Sequence, residues 1–269
     1  MQSLNISTAA LRSVQQALDT AANNLANLDT VGFKRRTVSF SELLTDSMND
    51  QPAADRVRNT PPGLRIGSGV RLGMTKLDMA QGSAKITEIP TDLMIEGDGF
   101  FAVSRMTRDP ATNELREEVR LTRNGAFQVK FSAEFNQYGL ANAAGDFLVD
   151  ENGVPILMDQ VEELKVTPEG RLLNDGAEVA SRIGVFKVDN PDQYRQVGEN
   201  EWLLPQNQPL ATFEPSAAAI RQGALEASNV DLQQEMAQLI NTQRAFQLNS
   251  RSIGITDQMM GIANSLRNR

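Results

Sequence analysis

Two rows of apolar residues, one near each end of the chain, repeat every seven positions and constrain its architecture more tightly than anything else in it. The first row is Leu4, Leu11, Leu18 and Leu25. Val14, Ala21 and Leu28 add intervening positions, so from residue 11 the stripe reads 11, 14, 18, 21, 25, 28. This alternation of three and four, with no Gly or Pro before Gly32, predicts a helix from about Ser3 to Leu28. Thr30-Val31-Gly32 is expected to end it, because glycine accepts the φ > 0 conformation of a helix stop. The second row is Leu225, Leu232, Leu239, Phe246, Ile253 and Met260, with Leu248, Ile255 and Ile262 forming another row two residues along. Interleaved rows give a stripe wide enough to face more than one neighbour. Ser228 or Asn229 is the expected N-cap. Gly254 and Gly261 each cost a helix about 1 kcal/mol relative to Ala, which reads them as places where another backbone comes close.

A heptad stripe also suits an ordinary helical core or an intramolecular hairpin. Here the stripes stand far apart in the chain, and their polar faces are rich in Asn and Gln with few i,i+4 ion pairs. Such ends need a partner: each other, other copies, or both.

Composition separates ends from middle. The net charge is −8, yet residues 1–36 are net +2 and residues 221–269 net +1, so the middle carries −11. Eleven of the 14 aromatics fall between Phe100 and Phe213. An acidic body argues against nucleic acid as a partner, and Lys34-Arg35-Arg36 is too short a basic run to change that. The chain has no Cys and no His, which removes disulfides, thiolate nucleophiles, His-dependent triads and N/S zinc sites. No apolar run reaches the roughly 18–20 residues that cross a bilayer, so direct membrane insertion is not expected. The start Met1-Gln2-Ser3-Leu4-Asn5 lacks the marks of a cleaved secretory signal, which reads as a cytoplasmic protein or one exported without such a signal.

The middle reads as strands. A short helical stretch is expected over about Ser39 to Asn49, then breaks at Gln51-Pro52 and Thr60-Pro61-Pro62-Gly63. Ile66 to Gly73 is glycine-punctuated and extended, without the spacing of a phosphate loop. Leu93–Ile95 and Phe100–Ser104 flank Glu96-Gly97-Asp98-Gly99 like a hairpin. Asn124-Gly125 and Asn174-Asp175-Gly176 give two more hairpin signals, and Ile183–Val188 alternates like a strand. This pattern predicts an all-β body from about 85 to 215. Glu96 with Asp98 could be read as paired acids, and Asp150-Glu151-Asn152-Gly153 as a calcium loop; turn chemistry accounts for both. No cofactor and no metal site is expected.

Four strings together carry a resemblance. Asn23-Asn24-Leu25-Ala26-Asn27-Leu28-Asp29-Thr30-Val31-Gly32-Phe33-Lys34-Arg35 resembles the N-terminal signature of the bacterial flagellar rod and hook proteins. Asp92 to Phe101, with Gly97, Gly99 and Phe100, resembles the start of that family's β-domain. Leu121-Thr122-Arg123-Asn124-Gly125-Ala126-Phe127 resembles a following hairpin. Gln222 to Val230, including Ser228 and Asn229, and Gln243-Arg244-Ala245-Phe246 resemble its C-terminal module. They occur in family order across essentially the whole chain. The single modest body is most similar to the distal-rod type and its Gram-positive hook-basal-body relatives, while Phe131-Ser132-Ala133-Glu134-Phe135-Asn136-Gln137 departs from the Gly-rich strand pair expected there.

The resemblance implies a structural, non-enzymatic axial subunit. It implies unfolded export through the flagellar type III apparatus without cleavage, then helical polymerisation outside the cytoplasmic membrane to transmit torque. Its partners would be other copies of itself, neighbouring rod and hook proteins, and the export apparatus. The alternatives are another axial component (proximal rod, hook or hook-associated junction), a coiled-coil adhesin or phage-tail-like protein, or an enzyme using Glu96 and Asp98. The fold expected is α+β: long N- and C-terminal helices pairing as an α-helical coiled-coil domain (1–32 with 222–269), an extended connecting segment (33–84), and a central all-β domain (85–221). The expected assembly interface is Leu11, Val14, Leu18, Leu25 and Leu28 with Leu225, Leu232, Leu239, Phe246, Ile253 and Met260.

Overall fold

A computed structural model describes residues 2–42, 45–47, 65–67, 70–108, 115–132, 135–161, 163–188, 190–198, 200–205 and 210–267. The chain divides into two units: Met1–Ala26, Arg36–Lys76 and Asp231–Arg269 form one, and Asn27–Arg35 with Leu77–Val230 form the other.

The first unit holds both long helices, α1 (Gln2–Ala26) and α2 (Leu232–Arg267), which lie against each other. α2 starts at Asp231, whose Oδ1 accepts the Gln233 amide at 2.8 Å, satisfying one of the free donors of a helix start. The cap is therefore neither Ser228 nor Asn229. Ser228 accepts the Val230 amide, and Asn229 is used in the second unit.

The helix pair is not the expected coiled coil. Such a seam would bury the heptad leucines on both helices. Instead α1 buries Ser13, Ala17, Ala21 and Asn24, a line of small or polar side chains spaced four, four and three apart. Leu11, Val14, Leu18 and Leu25 lie on the flank of that line, half-buried. On α2 the half-buried stripe includes Gln238, Thr242, Asn249 and Thr256 beside Leu239, Phe246 and Ile253, while Leu232 and Met260, at its ends, are exposed. Small side chains let the helices approach, and polar residues interrupt the knobs-into-holes repeat. The side chain of Leu4 lies outside the described set.

The other described residues of this unit are mostly strand. Arg36–Glu42 pairs with Val70–Leu77, and Thr45–Ser47 runs antiparallel to Arg65–Gly67. The helix expected over Ser39 to Asn49 is thus extended where it is described. Thr37-Val38-Ser39-Phe40-Ser41 favours a pleated strand, and the Thr37 and Ser39 hydroxyls donate across it to the carbonyls of Lys76 and Met74. The expected breaks at Pro52 and Pro61-Pro62 lie outside the described residues.

In the second unit the central strand is Phe100–Arg108. It is flanked by Leu115–Thr122 on one side and by Phe147–Leu148 and Val185–Phe186 on the other, all antiparallel. Successive side chains of a strand point to opposite faces, and both faces are covered here. Phe101 and Val103 join Leu93, Ile95, Phe127 and Leu148 in one core, and Phe100 and Ala102 join Leu121, Phe186 and Trp202 in another.

Asn174-Asp175-Gly176 makes its expected turn, with Asp175 and Gly176 both at positive φ between paired strands Arg171–Asn174 and Ala177–Arg182. Two expected hairpins do not form. Leu93–Glu96 pairs with Ala219–Gln222 rather than with Phe100–Arg108. Asn124-Gly125 joins Leu115–Thr122 to Gln128–Ser132, whose partner is Gln137–Ala141. The atypical segment after Phe127 is itself an antiparallel pair, in register from Ser132↔Gln137 to Gln128↔Ala141.

Candidate functional site

Two features stand out, one in each unit: an open apolar flank on α2, and a buried cluster where the sequence signatures meet.

α2 carries apolar residues on two flanks. The row Leu239, Phe246, Ile253 lies in the half-buried stripe. The second row does not: Leu248 is 66% exposed, Ile255 53% and Ile262 61%, with Met259 and Leu266 alongside. A hydrocarbon surface of this extent on one helix marks an interaction face. Gly254 and Gly261 lie along the same helix, and a methyl group added at either meets open space. Leu28 and Leu225 lie outside both helices. Leu28 follows α1 in the second unit, and Leu225 is buried in the strand Ala224–Glu226.

The signature residues at the end of α1 are used by the backbone around them. Asn24 is buried in the first unit and clasps Arg36 at both ends: its Nδ2 donates to the Arg36 carbonyl and its Oδ1 accepts the Arg36 amide, each at 2.9 Å. Asn23 and Ala26 are exposed on α1. Beyond the helix, Asn27 accepts the Thr30 hydroxyl at 3.2 Å. Gly32 has φ +68°, and a Cβ there would lie 2.7 Å from the Arg123 backbone. α1 has already ended at Ala26, so Gly32 is a close-approach position in the second unit and not the helix stop.

The chain then enters the cluster. Phe33 is buried, and Lys34 donates to Glu226 Oε1 at 2.7 Å and to the Ala80 carbonyl at 2.9 Å. Arg123 donates from Nε to Glu226 Oε2 at 2.6 Å, and its other nitrogens reach the carbonyls of Gly97 and Gly99. The amide of Gly82 also donates to Glu226, at 2.9 Å. Asn229 donates to the carbonyls of Asp78 and Ala80 and accepts the Arg35 amide. Gly125 accepts the Leu93 amide at 3.0 Å, and a Cβ on it would stand 1.6 Å from the Leu93 oxygen.

The first three signature strings and the Gln222 to Val230 part of the fourth therefore converge on one buried ion cluster, while Gln243 to Phe246 lies on α2 in the first unit. Burial lowers the pKa of Lys34, opposed by the hydrogen bond to Glu226. Burial alone would raise the Glu226 carboxyl, but Arg123 and Lys34 together hold it below its ordinary value. Lys34, Arg123 and Glu226 themselves escape an apolar-pattern reading; the signal for Arg123 and Glu226 is one charge inside an otherwise uncharged stretch, as in Ala224-Leu225-Glu226, whereas Lys34 is masked by the basic run Lys34-Arg35-Arg36.

A second buried network joins Arg120 to Glu201 at 3.1 Å and Arg105 to Asp146 at 2.5 Å, with Asn142 donating to Glu201 at 2.6 Å. Burial pushes the Glu201 carboxyl up, against the pull of Arg120.

The acids weighed for chemistry are engaged otherwise. Glu96 is exposed and pairs with Arg221 at 3.5 Å. Asp150 Oδ1 accepts the amides of Asn152 and Val154, closing a turn.

Comparison with known proteins matches both ends of the chain. The family described as flagella basal body rod protein matches residues 4–34, and the flagellar basal body rod FlgEFG protein C-terminal family matches residues 221–266. The flagellar hook-basal body complex protein FlhP of Bacillus subtilis is 33% identical, covering 99% of this chain and 100% of that protein. The chain belongs to the flagellar basal-body rod protein family. Other rod-family relatives are the flagellar basal-body rod proteins FlgG of Borreliella burgdorferi, 29% identical over 99% of both chains, and of Caulobacter vibrioides, 27% identical over 99% of this chain and 100% of the relative. The two rod-family segments contain α2 and two of the three charges of the cluster, Lys34 and Glu226; Arg123 lies between them in the chain. Among the described residues, no helix is long and apolar enough to cross a membrane.

Proposed function

We propose that this chain polymerises into the axial rod of the bacterial flagellum, using the open flank of α2 as its contact with neighbouring copies. Membership of the rod family makes it a structural axial component of the flagellar basal body. The finer reading is supported by one observation above all: α2 leaves Leu248, Ile255, Met259, Ile262 and Leu266 exposed along one flank after pairing with α1.

Burying a large apolar side chain contributes about 1.5–3 kcal/mol, so covering this flank, already partly desolvated, contributes on the order of 10 kcal/mol. Association itself costs roughly 4–15 kcal/mol. One neighbour is therefore marginal, and an array in which each copy touches several is favoured. Contacts between different faces that do not close on themselves propagate as a filament. The interface residues are Leu239, Phe246, Ile253 and Met260 with Leu11, Val14, Leu18 and Leu25, and the row Leu248, Ile255, Ile262 faces the neighbours. Export without cleavage through the flagellar apparatus and contact with adjoining rod and hook proteins complete this reading.

Imaging basal bodies from a strain lacking the gene tests it. Assembly halted within the rod is expected; complete rods and normal hooks would refute the role.

A further inference from the structure

The buried Lys34–Glu226–Arg123 cluster draws on three points far apart in the chain, and all three side chains are at most 2% exposed. We propose that it is a closure latch: the second unit cannot fold progressively from its N-terminal end and closes only when the strand carrying Glu226 docks. A chain delivered N-terminus first, by whatever route, then stays open until residue 226 is present. This inference does not depend on the rod reading.

The argument is electrostatic and topological. Without Glu226, closing the unit buries Lys34 and Arg123 as two cations in one site. An uncompensated buried charge is strongly unfavourable, and here the two repel each other. With Glu226 in place, each carboxylate oxygen meets one cation, and Oε1 also accepts the Gly82 amide.

The backbone makes the same demand. The Glu226 carbonyl accepts the Gly32 amide at 2.8 Å, and Ala224–Glu226 pairs with Ala84–Ile86. Just upstream, Ala219–Gln222 supplies the partner strand of Leu93–Glu96. The late segment thus completes hydrogen bonding for strands that emerge long before it. Arg123 in turn holds the Gly97 and Gly99 carbonyls in the bend that leads into the central strand.

A latch of this kind acts on the folding step rather than on the lifetime of the folded state. The single tryptophan, Trp202, is buried edge-on against Phe100 at 5.2 Å and reports closure of the unit. Refolding and unfolding of the full-length chain, followed by Trp202 fluorescence, are compared with those of Glu226→Gln. Refolding slowed at least about tenfold, with unfolding changed less than about threefold, is expected. An effect confined to faster unfolding, or no effect on either rate, overturns the latch. Should Glu226→Gln show no native Trp202 signal, the same partition is read from Glu226→Asp, which keeps the charge on a shorter arm. Glu96→Gln, which removes the exposed pair with Arg221, serves as the control and leaves both rates within about threefold; a tenfold refolding loss there would also overturn the assignment to the buried cluster.

Discussion

At the scale of residues, two glycines show how different demands select the same amino acid. Gly176 has φ +76° with open space where a Cβ would go, whereas at Gly125 a Cβ would stand 1.6 Å from the Leu93 carbonyl oxygen. Gly176→Ala should therefore cost about 1 kcal/mol, the strain of a positive φ. Gly125→Ala should cost at least about 3 kcal/mol, because backbone cannot move aside cheaply. Urea unfolding followed through Trp202 separates the two. Both lie in Asn- or Asp-Gly pairs that read as hairpin turns. The Gly176 turn is decided locally and was legible. Gly125 is decided by a strand distant in sequence, so local turn chemistry gave the wrong partner.

The buried carboxylates set opposite pH signatures. Glu226 is held below its ordinary value of 4.5, so its stabilisation is full above that pH and is lost as pH falls towards the folded value. Glu201 is raised above 4.5 by burial, so its contribution is full below that pH and declines as pH rises through the folded value. Unfolding free energy measured between pH 3 and 7 should fall on the acid side in the wild type. In Glu226→Gln that acid-side slope should be reduced, with any residual Glu201 effect of the opposite sign.

At the scale of elements, both terminal helices were legible because sevenfold periodicity survives in a single sequence. The geometry of their pairing was not. A heptad pattern records which residues are apolar, whereas α1 selects small side chains, Ala17 and Ala21, for its buried line. Ala21→Leu should force the helices apart, costing about 1–3 kcal/mol, seen as earlier loss of helical circular dichroism on heating; unchanged melting would restore a leucine-centred seam. Asp231→Ala removes the cap of α2 and should cost about 1 kcal/mol of helix stability, read in the same experiment. The second row, Leu248, Ile255 and Ile262, was also visible in the sequence, but only the structure distinguishes it as the row that α1 leaves open. The Ser39 region read as helix although Thr37 to Ser41 alternates with the period of a strand; the cross-strand hydroxyl bonds of Thr37 and Ser39 are not visible in a linear pattern.

At the scale of the whole molecule, the uneven charge and aromatic content separated body from ends, and the family strings fixed the class. What neither conveyed is that the strings around Lys34, Gly97, Arg123 and Glu226 meet in one buried cluster. The central claim remains that the flank α1 leaves open is the contact between copies. Leu248 and Ile255 are exposed in the single chain, so Leu248→Asp with Ile255→Asp should leave the isolated protein intact, with the native Trp202 signal and a stability change within about 1 kcal/mol. The direct measurement is electron cryomicroscopy of basal bodies from cells whose only copy of the gene carries both substitutions. Rods that stop before this subunit's layer, with the folded variant recovered unassembled, are the predicted result; full-length rods containing the variant would contradict the account.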